Sequence, residues 1–240
     1  MLRLANEKII ISSIFIVLIL LVANMLFVAF CPKVLSAKEI FNKNANSVVE
    51  IVAKSDGVGE SCGTGEFIDA EGTIITNAHV VTYTKMGEAT LFNEYYIRFI
   101  DSDDYLGVTL VKFDKALDIA VLKFTTDAHK FKSVEIGAVK KIQSGDKVFA
   151  IGNAMNYGLA ISSGIISIPQ INIDYEGIIR KVIQCDITIA EGNSGGALFD
   201  DKGRLIGITT FRIKDNSGDV VYGFAYCIPI TIVLEYVNQE

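Results

Sequence analysis

The stretch Glu191–Phe199 reads EGNSGGALF and places one serine among three glycines, immediately before an apolar run. Glycine loses more backbone entropy on folding than any other residue, so this clustering indicates unusual backbone geometry or close approach of another molecule. A tight turn of this kind can expose the Ser194 hydroxyl and direct neighbouring backbone N–H groups toward one point. The alternative is an ordinary glycine-rich β-turn in which Asn193 and Ser194 are simply turn residues.

From Val48 to Cys227, on both sides of this stretch, the chain forms short β-type runs separated by turn residues, with no long amphipathic helix between them. In the first half of the chain the predicted strands are Val48–Ala53, Gly65–Ile68, Thr73–Thr76, Tyr95–Ile100, Gly107–Phe113 and Ile119–Phe124. A polar connection over residues 126–144 leads to the second half. There the predicted strands are Lys147–Ile151, Leu159–Ile168, Ile178–Cys185, Ala197–Phe199, Arg204–Phe211 and Val221–Cys227.

The chain closes with Ile230–Val237, whose apolar residues recur at helical spacing. The sequence therefore predicts an all-β protein of two halves, each with about six antiparallel strands, and a C-terminal helix that packs on the second half. We expect a first half over residues 47–137 and a second over residues 138–240, which together form one domain. A short linker or amphipathic helix over residues 33–46 precedes them.

The N-terminus carries an apolar run, Ile9–Phe30, preceded by Arg3 and Lys8. Its length suffices for a transmembrane helix, whereas the core of a signal peptide is usually shorter. We therefore predict a membrane-spanning signal anchor over residues 1–32, with a signal peptide cleaved near Leu35–Ala37 as the alternative.

Composition excludes several classes of function. The 240 residues carry a net charge of −6 and no basic cluster interleaved with aromatic residues, so nucleic acid is not an expected partner. The chain has two histidines, His79 and His129, and four cysteines without a CxxC pair. Neither a metal site nor a cofactor is predicted.

Three residues together suggest a reaction. His79 follows a β-type run, and Asp118 stands at the head of another. Considered alone, His79 would be interpreted as a core histidine and Asp118 as a turn or strand-capping aspartate. Serine is a poor nucleophile until a base takes its proton, and that base needs a carboxylate to orient it. The order His79, Asp118, Ser194 supplies one candidate for each role, in the arrangement that chymotrypsin uses.

Further stretches make the chain resemble the HtrA (Deg) family of trypsin-like serine proteases over roughly residues 46–232. The matching stretches are Gly63–Gly65, Ile68–Asp69, Val148–Asn153, Ser163–Ser167, Val182–Asp186, Arg204–Ile208 and Gly223–Ala225. The resemblance implies two six-stranded β-barrels with a catalytic triad in the cleft between them. His79 would be the general base, Asp118 would orient it, and Ser194 would be the nucleophile. The backbone N–H groups of Gly192 and Ser194 would form the oxyanion hole.

The resemblance also implies a specificity pocket and a mode of control. The residues expected to bind substrate are Thr188, Ile189, Thr209, Thr210 and Phe211. The expected base of this pocket, at Thr188, carries no charge, which favours a small or medium apolar residue at the cleavage site. Asn193 stands where digestive relatives carry an aspartate that pairs with a freed N-terminus, so we expect no activation cleavage.

Other features depart from that family. The 240 residues lack the peptide-binding PDZ domain that many relatives carry after the protease, so we expect substrate sensing to be absent or supplied by another protein. Cys185 and Cys227 lie on strands that the fold would bring together, as a disulfide or as two buried thiols.

The expected activity is hydrolysis of unfolded or membrane-linked proteins outside the cytoplasm by a membrane-tethered serine endopeptidase, with secretion after signal cleavage as the alternative location. Expected partners are protein or peptide substrates and the membrane, and the resemblance leaves open a homotrimer. The alternative function is a protease-fold protein that binds or regulates, with weak or lost catalysis.

Overall fold

The computed structural model of this chain describes residues 12–25, 34–125, 131–175, 177–214, 217 and 220–239. The chain divides into two compact units, Met1–Val34 and Leu35–Glu240. In the first unit, residues 12–25 are helical, and their side chains are exposed. The rest of the predicted span, residues 9–11 and 26–30, lies outside the described residues, as do Cys31 and His129.

The predicted transmembrane helix is not supported. In the parts of the chain that the structure describes, no helix is long and apolar enough to cross a membrane.

The second unit contains two closed antiparallel barrels. The first barrel has the strand order β1-β2-β3-β8-β7-β6, and a separate two-stranded hairpin, β4-β5, lies outside it. The bounds of these strands are β1 Val48–Ser55, β2 Gly59–Phe67, β3 Thr73–Thr76, β4 Thr82–Lys85, β5 Glu88–Leu91, β6 Glu94–Arg98, β7 Leu106–Asp114 and β8 Ile119–Lys123.

The second barrel has the strand order β10-β11-β14-β13-β12-β9. Its strands are β9 Lys147–Gly152, β10 Ala160–Tyr175, β11 Ile178–Cys185, β12 Ala197–Phe199, β13 Leu205–Lys214 and β14 Val220–Pro229. A bulge interrupts the β10–β11 ladder between Ile168 and Ile171, where Pro169 has no N–H to donate. The predicted strand ended at Ile168, and the observed strand continues beyond the bulge.

Three α-helices accompany the barrels in the described residues of this unit: α1 Ala37–Asn44, α2 Ala78–Val81 and α3 Ile230–Val237. A capping box begins α1, in which the Ser36 hydroxyl accepts from the Glu39 N–H and the Glu39 carboxylate accepts from the Ser36 N–H. The mainly β architecture and the C-terminal helix that the sequence predicts are confirmed.

An apolar cluster joins the two barrels. It contains buried side chains from both barrels and from the flanking helices, among them Ile40 of α1, Ile119 of β8, Phe199 of β12 and Val233 of α3. A second cluster fills the first barrel around Phe67, and a third fills the second barrel around Leu198. Because this shared core buries the facing sides of both barrels, residues at its rim are held at fixed relative positions.

Candidate active site

His79 lies on the short helix α2, which directly follows β3. Asn77 precedes this helix and donates from Nδ2 to the Asp118 carbonyl at 2.9 Å. Hydrogen bonding thereby fixes the start of the helix to the turn that carries Asp118. The His79 side chain is about half exposed and faces the cleft, whereas the Asp118 side chain is 5% exposed.

Asp118 is held in a left-handed backbone conformation, with φ 56°, immediately before β8. Aspartate tolerates this region better than most residues. The His79 Nδ1 atom lies 3.0 Å from Asp118 Oδ1 and 2.9 Å from Oδ2, and the His79 backbone N–H donates to Oδ1 at 3.1 Å. The Thr210 hydroxyl donates to Oδ2 at 2.6 Å, so both carboxylate oxygens have partners.

The electrostatics of Asp118 follow from these contacts. Burial by itself raises the pKa of this carboxyl group, but the charge and hydrogen bonds of His79 and the hydroxyl of Thr210 oppose it. The balance leaves the pKa of Asp118 below its ordinary value. Asp118 is therefore a carboxylate at neutral pH, able to hold one imidazole tautomer and stabilise the charged imidazole.

Ser194 lies in the turn that precedes β12, and its neighbours fix this turn from both barrels. The Thr64 N–H of β2 donates to the Ser194 carbonyl at 2.9 Å, and the Gly195 N–H donates to the Thr209 carbonyl at 2.8 Å. Gly195 has φ 77°, and a Cβ atom there would lie 2.1 Å from the Thr76 hydroxyl. Only glycine fits this position, which accounts for one of the glycines in the deciding stretch.

The two N–H groups expected to form an oxyanion hole are those of Gly192 and Ser194. Within the described residues, neither donates to a protein acceptor. The Thr64 hydroxyl donates to the Gly192 carbonyl at 2.7 Å and holds this residue from the first barrel. The absence of a described protein acceptor for either N–H group is compatible with an oxyanion hole.

The loop after β9 fixes the orientation of the peptide group between Glu191 and Gly192. The Met155 N–H donates to the Glu191 carbonyl at 2.7 Å. In a trans peptide the C=O and the following N–H point in opposite directions, so a carbonyl bound by the loop directs the Gly192 N–H away from it. Met155 and Asn156 both have positive φ, at 58° and 60°, so this loop holds two non-glycine residues in a costly conformation.

One cleft of 540 Å³ brings the three sequence-predicted residues His79, Asp118 and Ser194 together. The first two come from the first barrel and the third from the second. The Ser194 hydroxyl donates to the Thr210 carbonyl at 3.4 Å. In the described part of the chain, no group of histidine, cysteine or acidic side chains could hold a metal ion.

The five residues expected to bind substrate do not all face this cleft. Ile189, Thr210 and Phe211 line it. Thr188 and Thr209 are not among the described residues that line it. The buried Thr209 hydroxyl instead donates to the Asn193 and Gly196 carbonyls and thereby holds the serine turn.

Sequence reasoning missed several residues of the site because they act through long-range or backbone contacts. Thr64 lies within the Gly63–Gly65 motif, but the motif does not reveal the contacts of its hydroxyl group. That hydroxyl donates to the Gly192 carbonyl and accepts from the Asn153 N–H at 2.9 Å, so it links the two residues. The contact of Thr210 with Asp118 spans 92 positions of the chain. Arg180, Tyr175 and Lys115 also line the cleft, and no local pattern marked them.

The cysteine pair of the second barrel consists of two buried free thiols, Cys185 and Cys227. They lie on the paired strands β11 and β14. A hydrogen bond with Cys185, together with burial, raises the pKa of Cys227 well above its ordinary value. Of the two alternatives left open by the sequence, the structure contains the thiols.

Comparison with known proteins identifies relatives that are described as serine proteases or peptidases. Residues 63–208 match the model of the trypsin-like peptidase domain family. A probable periplasmic serine endoprotease, DegP-like, of Bartonella henselae is 34% identical over 177 residues, which are 74% of this chain and 33% of that protein. The serine endoprotease DegS of Haemophilus influenzae is 32% identical over 178 residues, 74% of this chain and 49% of that protein.

A solved structure described as the HtrA-type protease AlgW with tripeptide has a TM-score of 0.69 and 30% identity, and the match covers 85% of this chain and 62% of that one. The chain spans about a third to a half of the length of the two curated relatives described above.

Proposed function

Because this chain belongs to the trypsin-like peptidase family, with HtrA-type serine endoproteases among its relatives, we propose that it is a serine endopeptidase. The observation that carries the proposal is the convergence of His79, Asp118 and Ser194 on one cleft, with both His79–Asp118 contacts at 3.0 Å or less.

In the proposed reaction, His79 takes the proton of the Ser194 hydroxyl as its oxygen bonds to the carbonyl carbon of the scissile peptide. The carbonyl oxygen becomes negative and accepts hydrogen bonds from the Gly192 and Ser194 N–H groups. His79 then gives the proton to the leaving nitrogen, which breaks the C–N bond and leaves an acyl-enzyme. A water molecule, deprotonated by His79, then attacks the carbonyl carbon of the acyl-enzyme. The bond to the Ser194 oxygen breaks, the acid product is released, and His79 returns the proton to Ser194.

Asp118 acts through His79 in this scheme. Its carboxylate accepts a hydrogen bond from the Nδ1–H, which leaves Nε2 to act as the base, and it stabilises the imidazolium that forms. Its lowered pKa supports the role, because a protonated acid could do neither. The Gly192 N–H has no protein acceptor among the described residues, which supports a preformed oxyanion hole, and we infer that no activation cleavage is required.

Extracytoplasmic proteins, unfolded or associated with membranes, are the substrates that we infer. The support is that a relative is named as periplasmic. The apolar lining by Ile189 and Phe211 supports a small or medium apolar residue at the cleavage site. Assembly as a homotrimer stays a prediction.

Cleavage of unfolded casein by the purified chain and by its Ser194→Ala variant tests this proposal. We expect loss of turnover by a factor of at least about 10³ in the variant, with unchanged circular dichroism, because only a hydroxyl is removed. Equal cleavage by both proteins would refute the nucleophile assignment. Absence of cleavage by the wild-type chain, on casein and on apolar peptides alike, would favour the binding or regulatory alternative.

A further inference from the structure

The cleft contains more positive charge than the proposed reaction uses. Three basic side chains line it, namely Lys115, Arg180 and Arg212, and they come from the turn before β8, from β11 and from β13. Across the residues that the structure describes, none of these three forms an ion pair.

The acidic side chains of the cleft do not neutralise this charge. Among the residues that the structure describes, the acidic ones that line it are Asp118 and Glu191. Asp118 is committed to His79 and Thr210. Glu191 is exposed in the turn before Ser194 and is the remaining anion against the three cations. The cleft is therefore complementary to a negatively charged group on a ligand.

Arg180 is the most firmly held of the three cations. Its Nε–H donates to the Ala116 carbonyl and an Nη2–H to the Lys115 carbonyl, both at 3.1 Å. Its guanidinium carbon lies 5.4 Å from the centre of the Tyr175 ring and 5.9 Å from that of Phe211. These partners orient the guanidinium without cancelling its charge, and its remaining N–H donors are available to a ligand.

The position of this charge relative to Ser194 follows from β13. The Ser194 hydroxyl contacts the Thr210 carbonyl, and Phe211 and Arg212 follow Thr210 along the strand. At about 3.3 Å per residue, Arg212 lies roughly 7 Å farther along than Thr210. Consider a peptide that lies extended beside β13 with its scissile carbonyl at Ser194. The side chain of the residue two or three positions from the scissile bond would then lie next to these cations.

We propose that this cationic subsite, formed by Lys115, Arg180 and Arg212, selects peptides with an acidic residue two or three positions before the scissile bond. We place the acidic residue before the scissile bond, on the side that forms the acyl-enzyme, for the following reason. Thr210 and Phe211 line the pocket beside Ser194 that would receive the residue at the cleavage site, and the same strand continues from them to Arg212 of the subsite. The inference rests on the proposed peptidase function. It defines the substrate class as segments in which aspartate or glutamate precedes an apolar cleavage residue.

Fluorogenic peptides with a constant valine before the scissile bond test the inference. In one set the third residue before that bond is Glu, Gln or Lys, and in a second set the second residue is varied in the same way. In at least one set we expect kcat/KM to be about tenfold higher for Glu than for Gln, and lower still for Lys, because a carboxylate bound by guanidinium N–H groups contributes more than a neutral amide. The preference should weaken at high salt.

Variants of the protein identify the source of the preference. Arg180→Gln should reduce the Glu-to-Gln ratio of kcat/KM toward one, and Arg180→Lys should retain part of it. Lys181→Gln is the matched control, because Lys181 is the next residue on the same strand, is exposed, and does not line the cleft. It removes the same charge and should leave the ratio unchanged.

The outcomes separate the two proposals. Cleavage that depends on Ser194, with equal rates for Glu and Gln in both sets, would overturn the acidic preference and leave the peptidase function standing. A preference that survives Arg180→Gln, or disappears equally in Lys181→Gln, would overturn the assignment to this subsite. No Ser194-dependent cleavage of any peptide would overturn both.

Discussion

Thr210 connects the two barrels at a single hydroxyl, which donates to Asp118 Oδ2 at 2.6 Å. Its replacement by valine keeps the shape and removes the donor, so Oδ2 of a buried carboxylate loses this hydrogen bond and retains only its contact with His79 Nδ1. Since that hydrogen bond lowers the pKa of Asp118, its loss raises the pKa. In the proposed reaction Asp118 positions His79, so the consequence should appear in the pH profile.

For Thr210→Val we expect kcat/KM on an apolar peptide to fall about tenfold at neutral pH, the cost of losing one hydrogen bond to a buried carboxylate. The deficit should grow as the pH falls, because the carboxylate form that the reaction needs is protonated at higher pH than in the wild type. Thr210→Ser retains the hydroxyl and should recover most of the activity across the profile. Equal profiles for the valine and serine variants would contradict this role.

Glu66 is a residue-scale feature that the proposed reaction does not use. It lies on β2, paired with Val48 and Ile75 of the cluster that joins the barrels. Its side chain is fully buried, and in the described part of the chain neither carboxylate oxygen has a hydrogen-bond partner. Burial raises the pKa of Glu66 well above its ordinary value.

The raised pKa makes stability depend on pH. The unfolded chain releases the Glu66 proton above about pH 4.3, while the folded chain retains it to higher pH, so folding becomes less favourable as the pH rises through this window. Glu66→Gln cannot ionise. Its free energy of unfolding relative to the wild type should increase from pH 4 to pH 7, by on the order of 1–3 kcal/mol.

Denaturant unfolding at several pH values measures this change, with Glu60→Gln at an exposed site on the same strand as the control. A difference between Glu66→Gln and the wild type that stays constant with pH would mean that the native state accommodates the ionised carboxylate.

At the scale of elements, the loop after β9 controls the peptide group that presents the Gly192 N–H. Met155→Pro removes the N–H that binds the Glu191 carbonyl, and proline cannot adopt the φ of 58° found there. Loss of one oriented oxyanion donor should lower kcat/KM by about a hundredfold. Met155→Gly keeps the N–H and reaches positive φ, so steady-state assays should find it close to wild type. A fully active Met155→Pro protein would refute the role of the loop.

Most strands were predictable from the sequence because their apolar residues pack in a core. The hairpin β4-β5 was missed, since neither of its strands has a fully buried residue and its alternation of polar and apolar residues is weak. The extension of β10 was missed because Pro169 normally ends a strand, and here it occupies a bulge. The local pattern of polar and apolar residues therefore predicts strands that have a buried face. It does not predict strands that are held only by pairing with a neighbouring strand.

Across the whole molecule, the site exists because one apolar cluster fixes the two barrels against each other. The sequence predicted His79, Asp118 and Ser194 as site residues because together they occur in the order His–Asp–Ser, although each has an ordinary structural reading by itself. The contacts that hold them, from Thr64, Thr210 and Met155, join distant segments through single hydroxyl or backbone groups and leave no sequence pattern. The cationic subsite combines residues from three elements, so it too becomes apparent only in the folded chain.

We propose that Ser194 is an activated nucleophile in the untreated protein, with no cleavage needed to activate it. Labelling with a fluorophosphonate probe tests it directly, because the probe bonds to an activated serine oxygen and releases fluoride. Mass spectrometry of the untreated protein should find the label on Ser194, and the Ser194→Ala and His79→Ala variants should remain unlabelled. Labelling of another residue would contradict the assignment of Ser194 as the nucleophile, and labelling only after proteolytic trimming would show that activation requires cleavage.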